Sequence, residues 1–307
     1  AAAQTFRVSA TRAIGRHVTE SITDWDTLWE QTHGGRANQA FPLSVRNDER
    51  WLSASAVSFS GGTVFAFRDI TEQYAIEQLR SDFVSTVSHE LRTPLAAIYG
   101  AALTLQRDDV RLEDSQRSGL LDVISGEADR LARIVNDILW ASRLDSGQMG
   151  IAIERCDAEA LTTQVADALR AHAPAGIVLG VEAEAGLPAV AADPDKLRQV
   201  LTNLIDNAVK YSPDGGHVNI RVARVGNRVR FRVQDEGLGI PTAEQARIFE
   251  KFFRLDPQLT RGVGGTGLGL YICRELVERM HGRIGVDSDG RKGSSFWVEL
   301  PVANSSV

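Results

Sequence analysis

The chain has 307 residues, of which 43% are hydrophobic and 24% charged, and its formal net charge is −6. This mix is ordinary for a soluble globular protein and excludes a wholly disordered chain, a collagen-like chain and a disulfide scaffold. The mildly acidic balance argues against wrapping nucleic acid, whose phosphates demand a basic face, but not against a nucleotide met through local donors and a metal. The length allows about two or three domains.

Two cysteines, Cys156 and Cys273, occur without a C-x-x-C or a Cys/His cluster. They read as two thiols in a reducing cytosol rather than as a bridge or a metal site. No apolar run approaches the ~18 residues of a membrane helix, and no secretory signal opens the chain. The expected location is therefore cytoplasmic. Because the chain starts Ala1-Ala2-Ala3-Gln4 without methionine, the start reads as a cleaved boundary, and any membrane anchor is expected upstream.

In chain order, Ile22 to Gln31, with Trp25, Leu28 and Trp29, reads as a short helix closed by Gly34-Gly35. Residues 40 to 70 read as strands, with Gly61-Gly62 marking a hairpin between β-prone runs. From Thr71 to about Arg107 breakers almost vanish. Apolar residues fall at Ile76, Leu79, Phe83, Val87, Leu91, Leu95 and Ile98, in the steps of three and four that mark a long amphipathic helix. Charged residues crowd 107–114, where the chain should turn. A second long helix runs from about Ser115 to Ser146 through Leu120, Ile124, Leu131, Ile134, Ile138 and Leu139, and Gly147 and Gly150 end it. Two such helices bury one stripe each, so a two-fold partner completing a four-helix bundle is expected.

After 150, strands and helices alternate. Ala158 to Ala171 is expected to be a helix, and Val190 to close a strand. Asp193-Pro194 supplies an N-cap and a first-turn proline for a helix to about Tyr211. Val218 to Val225 and Arg228 to Val233 form a hairpin across Gly226-Asn227. A helix from Gly269 to Met280 and a hairpin from Ile284 to Val302, turning near Asp289-Gly290, complete an α/β domain.

Five segments carry chemistry. In Ser88-His89-Glu90-Leu91-Arg92-Thr93-Pro94-Leu95 the apolar stripe through Val87, Leu91 and Leu95 leaves His89 toward solvent, where a neutral imidazole is a competent nucleophile near pH 7. Glu90 can take or hold a ring proton, and Thr93 lies one turn beyond it. Pro94 costs the helix interior ~3 kcal/mol or more by removing the bond to the carbonyl of Glu90, which points to a bend used in the mechanism.

In the Pro194 helix, Asn203, Asn207 and Lys210 share one face. Amide oxygens suit a magnesium shell that phosphate and water complete, Lys210 offers charge for phosphates, and Tyr211 an aromatic face for a base. Asp235-Glu236-Gly237-Leu238-Gly239-Ile240-Pro241 puts a carboxylate at a strand end, where it can accept from the exocyclic amine of adenine. The glycines allow close backbone approach to a planar base. In Phe249-Glu250-Lys251-Phe252-Phe253-Arg254 the aromatics read as core or a hinge anchor, and Arg254 has the reach to meet a terminal phosphate. Gly262-Val263-Gly264-Gly265-Thr266-Gly267-Leu268-Gly269-Leu270 opens a helix with amide donors and a dipole suited to phosphate. A Rossmann reading fails for want of the following βαβ unit, and a P-loop reading for want of Gly-Lys-Ser/Thr. Leu255 to Gly264 is expected to be a mobile lid.

With these five segments in this order, the chain over about 73–302 resembles the sensor histidine kinases of two-component signalling. Residues 88–95 are similar to the phosphoacceptor box, and Asn203–Tyr211, Asp235–Pro241, Phe249–Arg254 and Gly262–Leu270 to the N, G1, F and G2 boxes. The resemblance implies a multidomain α+β chain. Its antiparallel helical hairpin (73–149) forms a dimeric four-helix bundle, and a Bergerat-type α/β sandwich (150–307) binds ATP. It further implies that His89 is phosphorylated, Glu90 acts as acid/base and Thr93 positions water for regulator dephosphorylation. Asn207 would be the main Mg²⁺ ligand with Asn203 assisting, and Asp235 would read adenine. Nucleotide contacts would extend to Lys210, Tyr211, Gly237, Gly239, Ile240, Phe253 and Arg254, and in the glycine loop to Gly265, Thr266, Gly267, Leu268 and Gly269. The implied partners are a second copy of the chain and a response regulator, not nucleic acid. Residues 1–72, ending Phe67-Arg68-Asp69-Ile70-Thr71-Glu72, resemble the last part of a PAS sensor domain. Two rival functions share these residues: an ATPase of the same fold without phosphotransfer, and a catalytically silent signalling scaffold.

Overall fold

A computed structural model describes residues 14–15, 17, 19, 25, 40–45, 48–107, 109, 111–171, 173–255, 265–290 and 292–303. The chain divides into two compact units, 1–82 and 83–307. The helix expected over 22–31 lies outside the described residues apart from Trp25.

In the first unit, β1 (Ala40–Val45), β2 (Asp48–Phe59) and β3 (Gly62–Asp69) form an antiparallel sheet in that order. The register sets Phe41 opposite Leu52 and Ala54 opposite Phe67, and Phe41, Leu52 and Ala54 are buried. The strand-to-helix junction is held by short polar bonds. Asp69 Oδ1 accepts from the Thr71 amide (3.1 Å) and hydroxyl (2.7 Å), and Oδ2 from Arg50 Nη1 (2.9 Å). Thr71, first of these by size, and Arg50 hold the Asp69 carboxyl below its ordinary range. Trp51 stacks on Tyr74 at 3.5 Å between centroids.

Two long helices follow, α1 (Thr71–Leu105) and α2 (Asp114–Asp145). Glu90 meets Arg130 at 2.9 Å. The two residues stand equally far from the turn near residue 110, so the helices run antiparallel. The helix passes through Pro94 without interruption. The buried face of α1 differs from the expected stripe: Glu90, Pro94 and Ala101 are buried, whereas Leu95 is 58% exposed. Glu90 meets Arg130 of α2 on that face, and Leu95 lies outside it. On α2 the buried residues Ile134, Ala141 and Leu144 keep helical spacing.

The α/β part contains β4 (Glu154–Cys156), α3 (Ala158–Arg170), β5 (Ile177–Ala183), β6 (Val190–Ala192), α4 (Pro194–Lys210), β7 (Gly216–Val225), β8 (Arg228–Gln234), α5 (Gly269–Arg279), β9 (Arg283–Asp287) and β10 (Ser295–Pro301). Five strands make one sheet in the order β5-β7-β8-β10-β9, and β4 pairs with β6. Only β5–β7 among the five-stranded pairs is parallel. Val190 opens β6 rather than closing a strand; the longer strand before it, β5, ends at Ala183, and six residues separate the two.

Alternation decides the layering. Val229, Phe231 and Val233 of β8 are fully buried while Arg228, Arg230 and Arg232 take the other face. The inner face joins Val218, Ile220 and Val222 of β7 and Leu197, Val200, Leu201, Leu204 and Ile205 of α4, all fully buried in one core. At roughly 1.5–3 kcal/mol per buried large aliphatic side chain, this core fixes α4 on the sheet and with it the direction of its polar face. Asp193 starts α4: Oδ1 accepts from Asp195 N (3.1 Å) and Lys196 N (3.2 Å), and Oδ2 from Ala152 N (3.0 Å). Replacing it by alanine, Asp193→Ala, is expected to cost about 1–2 kcal/mol of stability. Chemical denaturation followed by circular dichroism measures that loss.

Candidate functional site

The polar face of α4 looks into a cavity of about 670 Å³. Asn203, Asn207 and Lys210 line it from α4, Asp235, Gly239 and Ile240 from the segment after β8, and Gly265, Thr266, Gly267 and Gly269 from the glycine loop. Tyr211, Phe253 and Arg254 complete the expected set on its wall. Gly237 and Leu268 are not on the wall, and their positions explain why. A Cβ on Gly237 would stand 2.2 Å from the carbonyl oxygen of Tyr211. That close approach, with Leu238 N donating to the same oxygen at 3.1 Å, pins the loop to the end of α4. Leu268 is fully buried in the core beneath the glycine loop.

Asp235 is the most constrained of these residues, at 5% exposure. Oδ1 accepts from Gly237 N at 2.9 Å and Ser294 N at 3.1 Å, while Oδ2 accepts no hydrogen bond from the described residues. Burial raises its pKa against the lowering effect of the two amides. Gly293, beside Ser294, has φ +68, and a Cβ there would lie 2.3 Å from the Asp235 carbonyl oxygen. Neither Gly293 nor Ser294 was singled out by sequence reasoning. The available signal was the Gly293-Ser294-Ser295 step before the last strand.

On α4, Asn207 Nδ2 donates to Asn203 Oδ1 at 3.1 Å, which leaves Asn207 Oδ1 for a ligand. Desolvation lowers the pKa of Lys210 although its side chain keeps solvent contact; nearby Glu90 opposes the shift, and Arg130 and Arg254 add to it. Phe249 packs in the core against Phe296, and Arg247 lies 4.5 Å above the Phe253 ring. Phe252 has φ +70, donates its amide to Gly267 O at 3.0 Å, and rests on Phe83 of α1 at 4.0 Å. Residues 256–264, which hold nearly all of the expected lid and Gly262-Val263-Gly264, lie outside the described residues.

His89 is exposed, as the sequence implies, and does not line the cavity. Its neighbour Glu90 does, 8% exposed and paired with Arg130. Thr93 Oγ1 donates to the His89 carbonyl at 3.2 Å, and Thr93 also stays off the cavity wall.

One wall was missed entirely. Arg130, Arg133, Ile134, Asp137 and Trp140 of α2 line the cavity, in the steps of three and four of a single helix face. Burial pushes Asp137 up to about 6, with Arg133 and Lys210 opposing. Asp206 is raised for the same reason. The end of α2 is bonded to the α/β part: Asp145 accepts from Lys251 Nζ, and from Tyr271 OH at 3.0 Å. Arg279 Nη2 donates to Leu144 O at 2.9 Å, and Lys196 Nζ sits 4.4 Å from the Trp140 ring centre.

Two family models match this architecture. The His Kinase A (phospho-acceptor) domain matches residues 79–147, and the histidine kinase-, DNA gyrase B- and HSP90-like ATPase matches 192–304. The chain belongs to the histidine kinase family. Among curated relatives, the alginate biosynthesis sensor protein KinB of Pseudomonas aeruginosa is 38% identical over 94% of the chain. The chain spans about half the length of that relative, 50%. Among solved structures, full-length ShkA in complex with AMPPNP is 34% identical with a TM-score of 0.53, covering 75% of this chain and 47% of that one. Histidine kinase ThkA in complex with the response regulator TrrA covers 98% of this chain and 90% of that one, at a TM-score of 0.54 and 22% identity, a likeness of fold alone.

The Asp145 joint has a spectroscopic signature. The Tyr271 phenol is pushed up to about 12, first by desolvation and then by its bond to Asp145. Asp145→Ala is expected to move that titration down toward the ordinary tyrosine range without reaching it, because the desolvation remains. Tyrosinate absorbance against pH, referenced to Tyr271→Phe, measures it.

Proposed function

We propose that the chain is the kinase portion of a sensor histidine kinase that binds Mg-ATP in the cavity and transfers the γ-phosphoryl group to His89. The observation that carries this reading is the convergence of Asn207, Lys210, Asp235 and the glycine loop on one cavity, in the same compact unit as the His89 helix. The Oδ2 of Asp235, unengaged among the described residues, is an acceptor on the cavity wall that suits the adenine amine. The glycine loop offers amides to the phosphates at the start of α5.

The donor set fits Mg²⁺. Asn207 Oδ1 is unengaged and Asn203 stands beside it. Among the described residues no cluster of three or more His, Cys, Asp or Glu could hold an ion by protein ligands alone. A hard cation here would complete its shell from phosphate and water, and when bound it neutralises charge on the transferring group.

In the transfer, a ring nitrogen of His89 forms the N–P bond as the bond from γ-phosphorus to the ADP oxygen breaks, and the other ring nitrogen loses its proton. Glu90 is the base for that proton. Arg130 holds its Oε2 at 2.9 Å. Lys210 and Arg254 are the cations at the phosphates. Because His89 is off the cavity wall, transfer requires α1 and the cavity to rearrange relative to each other.

Further parts of the reading rest on the same residues. The phosphoryl group passes to an aspartate of a response regulator, and Thr93 positions water for the regulator's dephosphorylation. The chain acts as a homodimer, a reading supported by Leu95, Tyr99 and Leu103 on α1 and Leu121, Val135 and Leu139 on α2, all 42–65% exposed. Residues 1–72 are the end of a PAS-like sensor, 73–149 the phosphotransfer hairpin and 150–307 the ATP-binding domain, working in the cytoplasm. Among the described residues no helix is long and apolar enough to cross a membrane.

Incubation with γ-labelled ATP tests the kinase reading. Wild type is expected to gain acid-labile label. His89→Gln should gain none while still binding nucleotide, and Asn207→Ala should lose nucleotide affinity by at least about tenfold. Phosphate release without labelled protein would instead identify an ATPase without phosphotransfer.

A further inference from the structure

The nucleotide cavity is not built from the α/β part alone, and its α2 wall contributes charge that the proposed mechanism does not use. Arg133 lines the cavity from α2. Its guanidinium is in no salt bridge or hydrogen bond among the described residues, whereas Arg130, one turn earlier, is engaged by Glu90 at 2.9 Å and Glu127 at 3.7 Å. Arg133 is close enough to act on both Asp137 and Asp206, and Lys210 acts on the same two carboxyls. Arg133, Asp137, Asp206 and Lys210 line one cavity together with Asn203 and Asn207. A planar, permanently charged fork with five donors on that wall is matched to polyphosphate oxygens.

We propose that Arg133 is a phosphate-binding residue of this site, so that the second helix of the hairpin takes part in holding the nucleotide. The inference rests on the reading of the cavity as an ATP site and adds to it a residue outside the N, G1, F and G2 boxes. Asp137, one turn on and facing the same space, has the opposite effect: its carboxylate repels the phosphates that Arg133 attracts. The pair tunes how strongly a nucleotide holds the α/β part against α2. Nucleotide affinity is thus a property of the docked pair of elements, and adenosine, which lacks phosphates, is indifferent to Arg133.

Isothermal titration of the full chain with Mg-AMPPNP and, separately, with adenosine tests this. Arg133→Ala is expected to weaken Mg-AMPPNP by about tenfold and leave adenosine within about twofold; Arg133→Lys should recover part of the loss, and Asp137→Asn should tighten Mg-AMPPNP. Equal weakening of adenosine would show a structural role for Arg133, and unchanged Mg-AMPPNP affinity in Arg133→Ala would show no phosphate contact; either result overturns the proposal. If wild type bound neither ligand, the ATP reading itself would fail and this inference with it. The two failures are distinguished by the wild-type titration alone.

Discussion

A carboxylate taken out of water must be given donors, and Asp235 receives two backbone amides on a single oxygen. That arrangement constrains much of the site. One amide belongs to Gly237, so the loop after β8 must fold back on its own strand. The other belongs to Ser294, so the segment entering β10 must pass directly behind it, which only the left-handed glycine at 293 allows. With Oδ1 satisfied by the backbone, Oδ2 is left as a fixed acceptor facing the cavity. The proposed adenine acceptor is therefore part of the frame. Removing the carboxylate would leave the buried Ser294 amide and the partly buried Gly237 amide without their acceptor.

The other end of the cavity is positioned by packing rather than by polar bonds. The apolar face of α4 lies on the fully buried centre of the sheet, so the asparagine face can point only into the cavity. Asn207 then spends its amide NH₂ on Asn203 and presents its oxygen. Between the two ends, the contacts of Phe252 with Gly267 and Phe83 connect the aromatic segment to the glycine loop and to α1. A ligand that orders the glycine loop is thus coupled by direct contacts to the helix that carries His89.

Local features were legible in the sequence because their causes are local. The Asp193-Pro194 cap, the alternation of β8 and the glycines of the loop each act within a few residues, and the helices and strands they imply fall close to where they were expected. The same holds for the Asn203–Asn207–Lys210 face, which follows from helical spacing once α4 is recognised. What escaped depends on pairs far apart in the chain. Glu90 adjoins His89 in sequence, yet it pairs with Arg130, forty positions later, and the buried face of α1 carries Glu90 rather than Leu95. The expectation of a strand closing at Val190 fails because pairing with Cys156 makes Val190 the start of a short strand instead. The α2 wall was invisible for a related reason: the spacing of Arg130, Arg133 and Asp137 marks a polar face, but not what that face meets.

The account stands on the identity of the cavity's occupant and on its direction within the cavity. A crystal structure of the chain with Mn²⁺ and AMPPNP, with the metal located by its anomalous signal, tests both at once. The account predicts the adenine amine on Asp235 Oδ2, the metal on Asn207 Oδ1 and the triphosphate between α4 and α2. Nucleotide bound elsewhere, or metal away from α4, would contradict it.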